Sequence, residues 1–183
     1  MAALCMSEGL EPALQTGLEW ENRLIAENLR RVFSLLYRMV GNLADAQDLT
    51  QETFIKALQR RAQLKDPERA AQWLCRIATN TAIDFLRRQG RGGWCEIEDG
   101  MEPVRNAVET PEQMVLRAER RELLEDALRT LTPRERAALI LRDVEDLPAA
   151  EVARYLNCSK ATVRSHIANA RVKFRRFLAE RRR

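Results

Sequence analysis

Apolar residues recur along this chain at intervals of three and four, the spacing of one helix face. Between Asn22 and Val40 they are Ile25, Leu29, Val32, Phe33, Leu36, Met39 and Val40. That pattern predicts an amphipathic helix, stopped by Gly41-Asn42. Residues 1–21 before it read as a loose arm that turns helical toward Trp20. A second helix is predicted from Asp45 to Arg61, with Leu49, Phe54, Ala57 and Leu58 as its core set. Gln63 to Asp66 reads as a loop. Asp66-Pro67 then starts a third helix, with the cap at Asp66 and proline at the first helical position. Ala70, Trp73, Leu74, Ile77, Ala78, Thr81 and Phe85 form its buried face.

The periodicity then lapses. Residues 91–109 are rich in glycine and acids, including Glu96, Glu98, Asp99, Glu102 and Glu109. They read as a flexible acidic linker and place a domain boundary there. Beyond it, Thr110-Pro111-Glu112-Gln113 and Thr132-Pro133-Arg134-Glu135 are successive capping boxes, each starting a helix. The first runs to about Thr130, with Val115, Ala118, Leu123, Ala127 and Leu131 near its buried side. The second runs to about Val144, with Ala138, Leu141 and Val144 as its core side. Last comes LPAAEVARYLNCSKATVRSHIANARVKFRRF, residues 147–177. Pro148 fits the first turn of a short helix carrying Val152, Ala153 and Leu156. Asn157-Cys158 makes the turn, and Ser159 caps a second helix. Val163, Ile167, Ala170 and Phe174 stripe the back of that helix. A short helix, a tight turn and a second helix with a basic front make a helix-turn-helix.

Composition agrees with the pattern. The chain has 183 residues, 7 Gly, 6 Pro and 5% aromatics, which points to an all-α fold of two small helical domains joined by the linker, the second a helix-turn-helix domain. Net charge is only +4, but it is unevenly spread. From Lys160 to Arg183 nine Lys or Arg stand against one acid, Glu180, which leaves +8 on that segment and about −4 on the rest. A basic end on a mildly acidic body suits a polyanion at that end and other partners elsewhere. Cys5, Cys75, Cys95 and Cys158 show no metal-ligand spacing, and His166 is the sole histidine. That pattern fits a reducing compartment with no metal and no disulfide framework. No secretory signal and no membrane-length apolar run is present, so a cytoplasmic location without membrane insertion is expected. There is no Gly-rich phosphate loop, no paired catalytic carboxylates with a base and no supported Cys–His pair, so neither an enzyme nor a cofactor is expected.

Two polar stripes carry the candidate chemistry. On the second helix, Asp48, Gln51, Glu52 and Ile55 share one face, where an isoleucine among carboxylates suits a protein-binding surface. On the third, Arg76, Asn80, Ile83 and Arg87 share another, suited to phosphates and base edges.

DAQDLTQETFIKAL followed by WLCRIATNTAIDFLRR resembles region 2 of bacterial sigma factors, and LTPRERAALILRDVEDLPAAEVARYLNCSKATVRSHIANARVKF resembles region 4. With only a short acidic linker between them, the chain resembles the extracytoplasmic-function class over roughly residues 22–178. The resemblance implies a region 2 over 22–90, contacting core polymerase and the −10 element, and a region 4 over 110–183, contacting the −35 element. It implies that Asp48, Gln51, Glu52 and Ile55 meet the clamp helices of the RNA polymerase β′ subunit. Leu64, Lys65 and Asp66 fall in the loop that captures a flipped −10 base, and Arg76, Asn80, Ile83 and Arg87 lie beside the −10 strand. Arg164, Ser165, Ala168 and Asn169 sit where the −35 major groove is read, with Lys160, Thr162, Arg171 and Lys173 placed for phosphates. It also implies promoter DNA as ligand and brings in an anti-sigma factor as a partner class. The residues alone leave a stand-alone helix-turn-helix regulator open, although that reading gives the Asp48–Glu52 stripe no role.

The flipped-base loop, LKDPERA, contains no aromatic to stack on an extruded base. Weak melting should make promoter choice strict. Substituted −10 bases are expected to abolish initiation in transcription with purified polymerase; equal initiation from altered promoters would refute this.

Overall fold

The computed structural model describes residues 10–90 and 111–181, all of its regular structure helical. The linker and Thr110 of the first capping box therefore fall outside the described residues, as do Cys95 and the last two arginines.

Helix α1 spans Leu10–Val40 and starts twelve residues earlier than the apolar pattern indicates. Val32, Leu35, Leu36, Met39 and Val40 are buried, while Leu29 is 47% exposed. Gly41 takes a positive φ of 78° and returns its N–H to the Tyr37 carbonyl at 2.8 Å, closing the helix. That backbone conformation carries no Cβ penalty at glycine. Asn42 then caps α2 (Leu43–Gln59), accepting from the Asp45 N–H at 2.9 Å. Leu49, Phe54 and Ala57 are buried as their spacing requires, Leu58 is half-buried, and Ala46 and Thr53 complete the face. A single turn at Pro67–Arg69, capped by Asp66, leads into α3 (Ala70–Gln89).

Helices α1, α2 and α3 form a three-helix block in which each packs on the other two. Ala78 and Ala82 are fully buried on α3. Their small side chains let neighbouring helices close over Leu74, Ile77 and Leu86. The buried hydroxyls of Thr50 and Thr79 donate to carbonyls one turn back, Ala46 O at 2.6 Å and Cys75 O at 2.8 Å, so the core tolerates them.

The second block comprises α4 (Pro111–Arg129), α5 (Pro133–Leu139), α6 (Ala149–Tyr155) and α7 (Lys160–Arg181). The Thr132 capping box forms as its sequence requires, with Glu135 closing back on the Thr132 N–H at 2.9 Å. A wide π turn over Ile140–Val144 follows α5. It rotates Val144 out of the expected core, to 54% exposure. On α4, Ala127 is buried, but Val115 is 59% exposed and Ala118 is exposed too, so the expected buried side holds only toward the C-terminal end of the helix. Pro148 is the N-cap residue of α6 and lies just outside the helix. Ser159 caps α7 through the Thr162 N–H at 3.0 Å.

The two blocks share one apolar core, with α3 packed against α5 and α6. Arg136 of α5 is buried and donates to the Arg38 carbonyl at 3.2 Å. That carbonyl belongs to the last turn of α1, where the helix leaves orphan acceptors and partial negative charge. Burial pulls the Arg136 pKa down to about 9, which keeps it cationic at neutral pH. Nearby, the Arg38 guanidinium pairs with Glu145, and Arg121 of α4 meets the Tyr37 hydroxyl.

Leu36 is fully buried at the centre of the first block. Leu36→Ala is expected to lower unfolding free energy by about 2–5 kcal/mol in urea titration.

Candidate polymerase and nucleic-acid interfaces

The α2 stripe is open to solvent. Asp48 and Gln51 are exposed, Glu52 is half-exposed, and Ile55 is 56% exposed between them. Glu52 is held by Lys56 at 2.7 Å, and Lys56 reaches on to the Thr81 hydroxyl at 3.1 Å, so α3 fixes the lower edge of the stripe. At its upper edge burial raises the Asp45 carboxyl; a hydrogen bond with Gln89 opposes this, and the charge of Asp48 raises it further. An exposed apolar side chain ringed by carboxylates and an amide has the chemistry to meet basic and apolar groups.

The loop and the α3 stripe meet at one end of the first block. Lys65 is exposed, Leu64 is half-buried, and Asp66 is committed to structure. The Asp66 carboxylate accepts the Glu68 N–H at 3.0 Å and pairs with Arg69 at 3.2 Å. Along α3, Arg76, Asn80 and Arg87 are exposed, and Arg87 pairs with Asp84 at 3.3 Å. Ile83 departs from the expectation. It is 8% exposed and belongs to the apolar core. Sequence reasoning also missed Trp73. The loop itself lacks an aromatic, but this indole lines a cavity of about 300 Å³ together with Leu64, Lys65 and Arg76. Its place at i−3 from Arg76 was the available signal.

The front of α7 is the third surface. Lys160, Arg164, Ser165, Ala168 and Asn169 are exposed along one side, opposite the buried Val163 and Ala170. Three of the residues expected at phosphates are engaged internally. The Thr162 hydroxyl lies 2.9 Å from that of Ser159. Arg171 donates to both Asp143 carboxylate oxygens at 3.0 Å. Lys173 pairs with Glu135 at 2.6 Å and ties α7 to the capping box of α5. Arg171 remains exposed and can exchange Asp143 for a phosphate, whereas Lys173 is bound to a buried carboxylate. Among the described residues no cluster of three or more His, Cys, Asp or Glu could hold a metal ion, and no helix is long and apolar enough to cross a membrane.

Two family models match the chain: Sigma-70 region 2 over residues 24–92, and Sigma-70, region 4 over residues 121–174. The ECF RNA polymerase sigma factor SigE of Mycolicibacterium smegmatis is 37% identical over 161 residues, 88% of this chain. The chain spans 62% of that relative's length. The ECF RNA polymerase sigma-E factor of Escherichia coli is 32% identical over 82% of both chains. The sigma factor RpoE of Bartonella quintana, solved in complex with the anti-sigma factor NepR, shares the fold at a TM-score of 0.62 and 20% identity, over 86% of this chain and 96% of that one. The chain belongs to the extracytoplasmic-function family of RNA polymerase sigma factors, which direct promoter-specific initiation of transcription. A stand-alone regulator would leave the region 2 match, and the whole first block, without a purpose.

Glu135 yields a pH test of the α5–α7 tie. Burial pushes its carboxyl up, but hydrogen bonds from Lys173 and Thr132 outweigh this and hold it below 4.5. The carboxylate thus contributes stability above pH 4.5 that is lost as pH falls through the folded value. Glu135→Gln is expected to remove this dependence. Between pH 7 and about pH 3 the wild-type thermal midpoint should fall further than that of the variant, measured by circular dichroism.

Proposed function

We propose that the chain grips core RNA polymerase through Asp48, Gln51, Glu52 and Ile55 on α2 and reads promoter DNA at two places. The observation that carries this is the separation of three surfaces: a carboxylate-and-isoleucine stripe on α2, a basic and amide stripe on α3, and a polar front on α7. The α2 stripe meets the clamp helices of the β′ subunit. The exposed α7 residues Arg164, Ser165, Ala168 and Asn169 enter the −35 major groove, with Lys160 and Arg171 on phosphates. Arginine suits guanine O6 and N7 there, and asparagine suits adenine N6 and N7. Arg76, Asn80 and Arg87 hold the melted −10 strand, and Leu64 and Lys65 border the pocket for an extruded base, with Trp73 lining the same cavity. Extrusion costs a few kcal/mol, offset only by a base that fits.

The protein acts by binding and positioning; the polymerase performs the chemistry. It works in the cytoplasm, where the polymerase is. An anti-sigma factor is a further partner. Support for it comes from an apolar groove of about 850 Å³ between α1 and the second block, floored by Leu128, Leu139 and Ile140 and edged by the exposed Leu124 and Val144.

Reversing charge on the α2 stripe separates the roles. Asp48→Lys/Glu52→Lys is expected to lose capture by immobilised core polymerase while keeping wild-type affinity for a −35 duplex. If the double variant still binds polymerase, the α2 assignment fails.

A further inference from the structure

We infer that Asp143 is a specificity-determining residue for duplex recognition: it makes the phosphate contact of Arg171 conditional on a base match. The inference rests on the assignment of Arg171 to a DNA phosphate.

Arg171 follows Arg164 by seven residues and Lys160 by eleven, so the three cations share one flank of α7. Arg171 alone of the three is met by an acid: its Nη2 donates to both oxygens of the Asp143 carboxylate at 3.0 Å. The π turn supplies that acid. Within it the Glu145 N–H reaches back five residues to the Ile140 carbonyl at 3.0 Å. Such wide turns are rare and recur at functional sites. The neighbouring acids are turned elsewhere, Glu145 to Arg38 and Asp146 to Arg142 at 3.5 Å. Asp143 is thus the acid of this turn that reaches the DNA-binding helix.

The opposite flank of α7 shows the contrast. Lys173 is tied to Glu135, whose side chain is only 7% exposed, and that pair is closed to exchange. In the Asp143 pair the arginine side chain is 58% exposed and the carboxylate 36%, so a phosphate can take the place of the carboxylate.

The exchange trades one anion for another and leaves the Asp143 carboxylate without its cation beside the DNA backbone. On a duplex of the wrong sequence phosphates alone supply the binding, and this cost keeps Arg171 on Asp143. On a matching duplex, Arg164, Ser165 and Asn169 meet base edges, hold α7 in the groove and offset the cost. A phosphate contact by itself carries no sequence information. Coupled to Asp143, this one does.

The test follows binding of the full chain to two fluorescein-labelled duplexes by anisotropy across a salt series. One duplex has a fixed arbitrary sequence; the other is enriched from a random pool by the wild-type chain. Asp143→Asn keeps the side-chain shape and removes the charge. Should it fail to fold by circular dichroism, Asp143→Ser decides. The variant is expected to bind the arbitrary duplex about three- to fivefold tighter than wild type, with a salt slope steeper by about one phosphate, and the enriched duplex less than about twofold tighter. In an Arg171→Ala background the same substitution should change neither. Unchanged affinity for the arbitrary duplex overturns the proposal. So does an equal gain on both duplexes, or a gain that persists without Arg171, which is plain repulsion between Asp143 and DNA. If Arg171→Ala alone leaves affinity and salt slope for the enriched duplex at wild-type values, the assignment of Arg171 to a phosphate fails instead.

Discussion

Helix α3 has two sides, and the molecule uses both. One side closes the three-helix block with Trp73, Leu74, Ile77 and Ala78 and cannot be withdrawn without losing that core. The other carries Arg76, Asn80, Ile83 and Arg87, and a helix about 10 Å across can present that face to only one neighbour at a time. With α5 and α6 against α3, the apolar core runs continuously through both blocks.

Polar groups at the contact between the blocks pull in both directions. An arginine brought inside a protein is tolerated when its donors find acceptors, and the end of α1 supplies a carbonyl with partial negative charge. Against this stands the Tyr155 hydroxyl. Burial pushes its pKa up to about 12, and a buried group without a partner costs about 1–3 kcal/mol. Ion pairs such as Arg38 with Glu145, partly in solvent, add at most about 1 kcal/mol. The apolar core common to both blocks holds the contact, and these polar terms partly offset one another. Within the blocks Leu36, Leu74, Leu141 and Val163 are fully buried.

Local chemistry made much of the fold legible in the sequence. Thr132-Pro133-Arg134-Glu135 folds as a capping box, and Ser159 caps α7, because a cap needs only its own neighbours. The α2 stripe and the exposed front of α7 were readable for the same reason: periodicity reports which residues share a face. It does not report what covers a face, which is why Ile83 appeared open. Nor does it report whether a face has any partner, which is why Val115 and Ala118 appeared buried. Val144 was misplaced by a turn of different pitch: the π turn after α5 breaks the 3.6-residue count on which the assignment depended. Lys173 was legible as a cation but not as the partner of Glu135, thirty-eight residues away in sequence. Trp73 was legible as core, and only the folded chain sets it beside the loop at Leu64.

Residues 91–110 tie the two blocks together, and that connection changes how strong a contact between them must be. Twenty residues extend to at most about 70 Å, so α6 never escapes the neighbourhood of α3. Because α3 and α6 belong to one chain, their contact forms within one molecule and is spared the cost of bringing two molecules together. The apolar core shared by the blocks therefore needs less buried surface to hold than an interface between separate proteins.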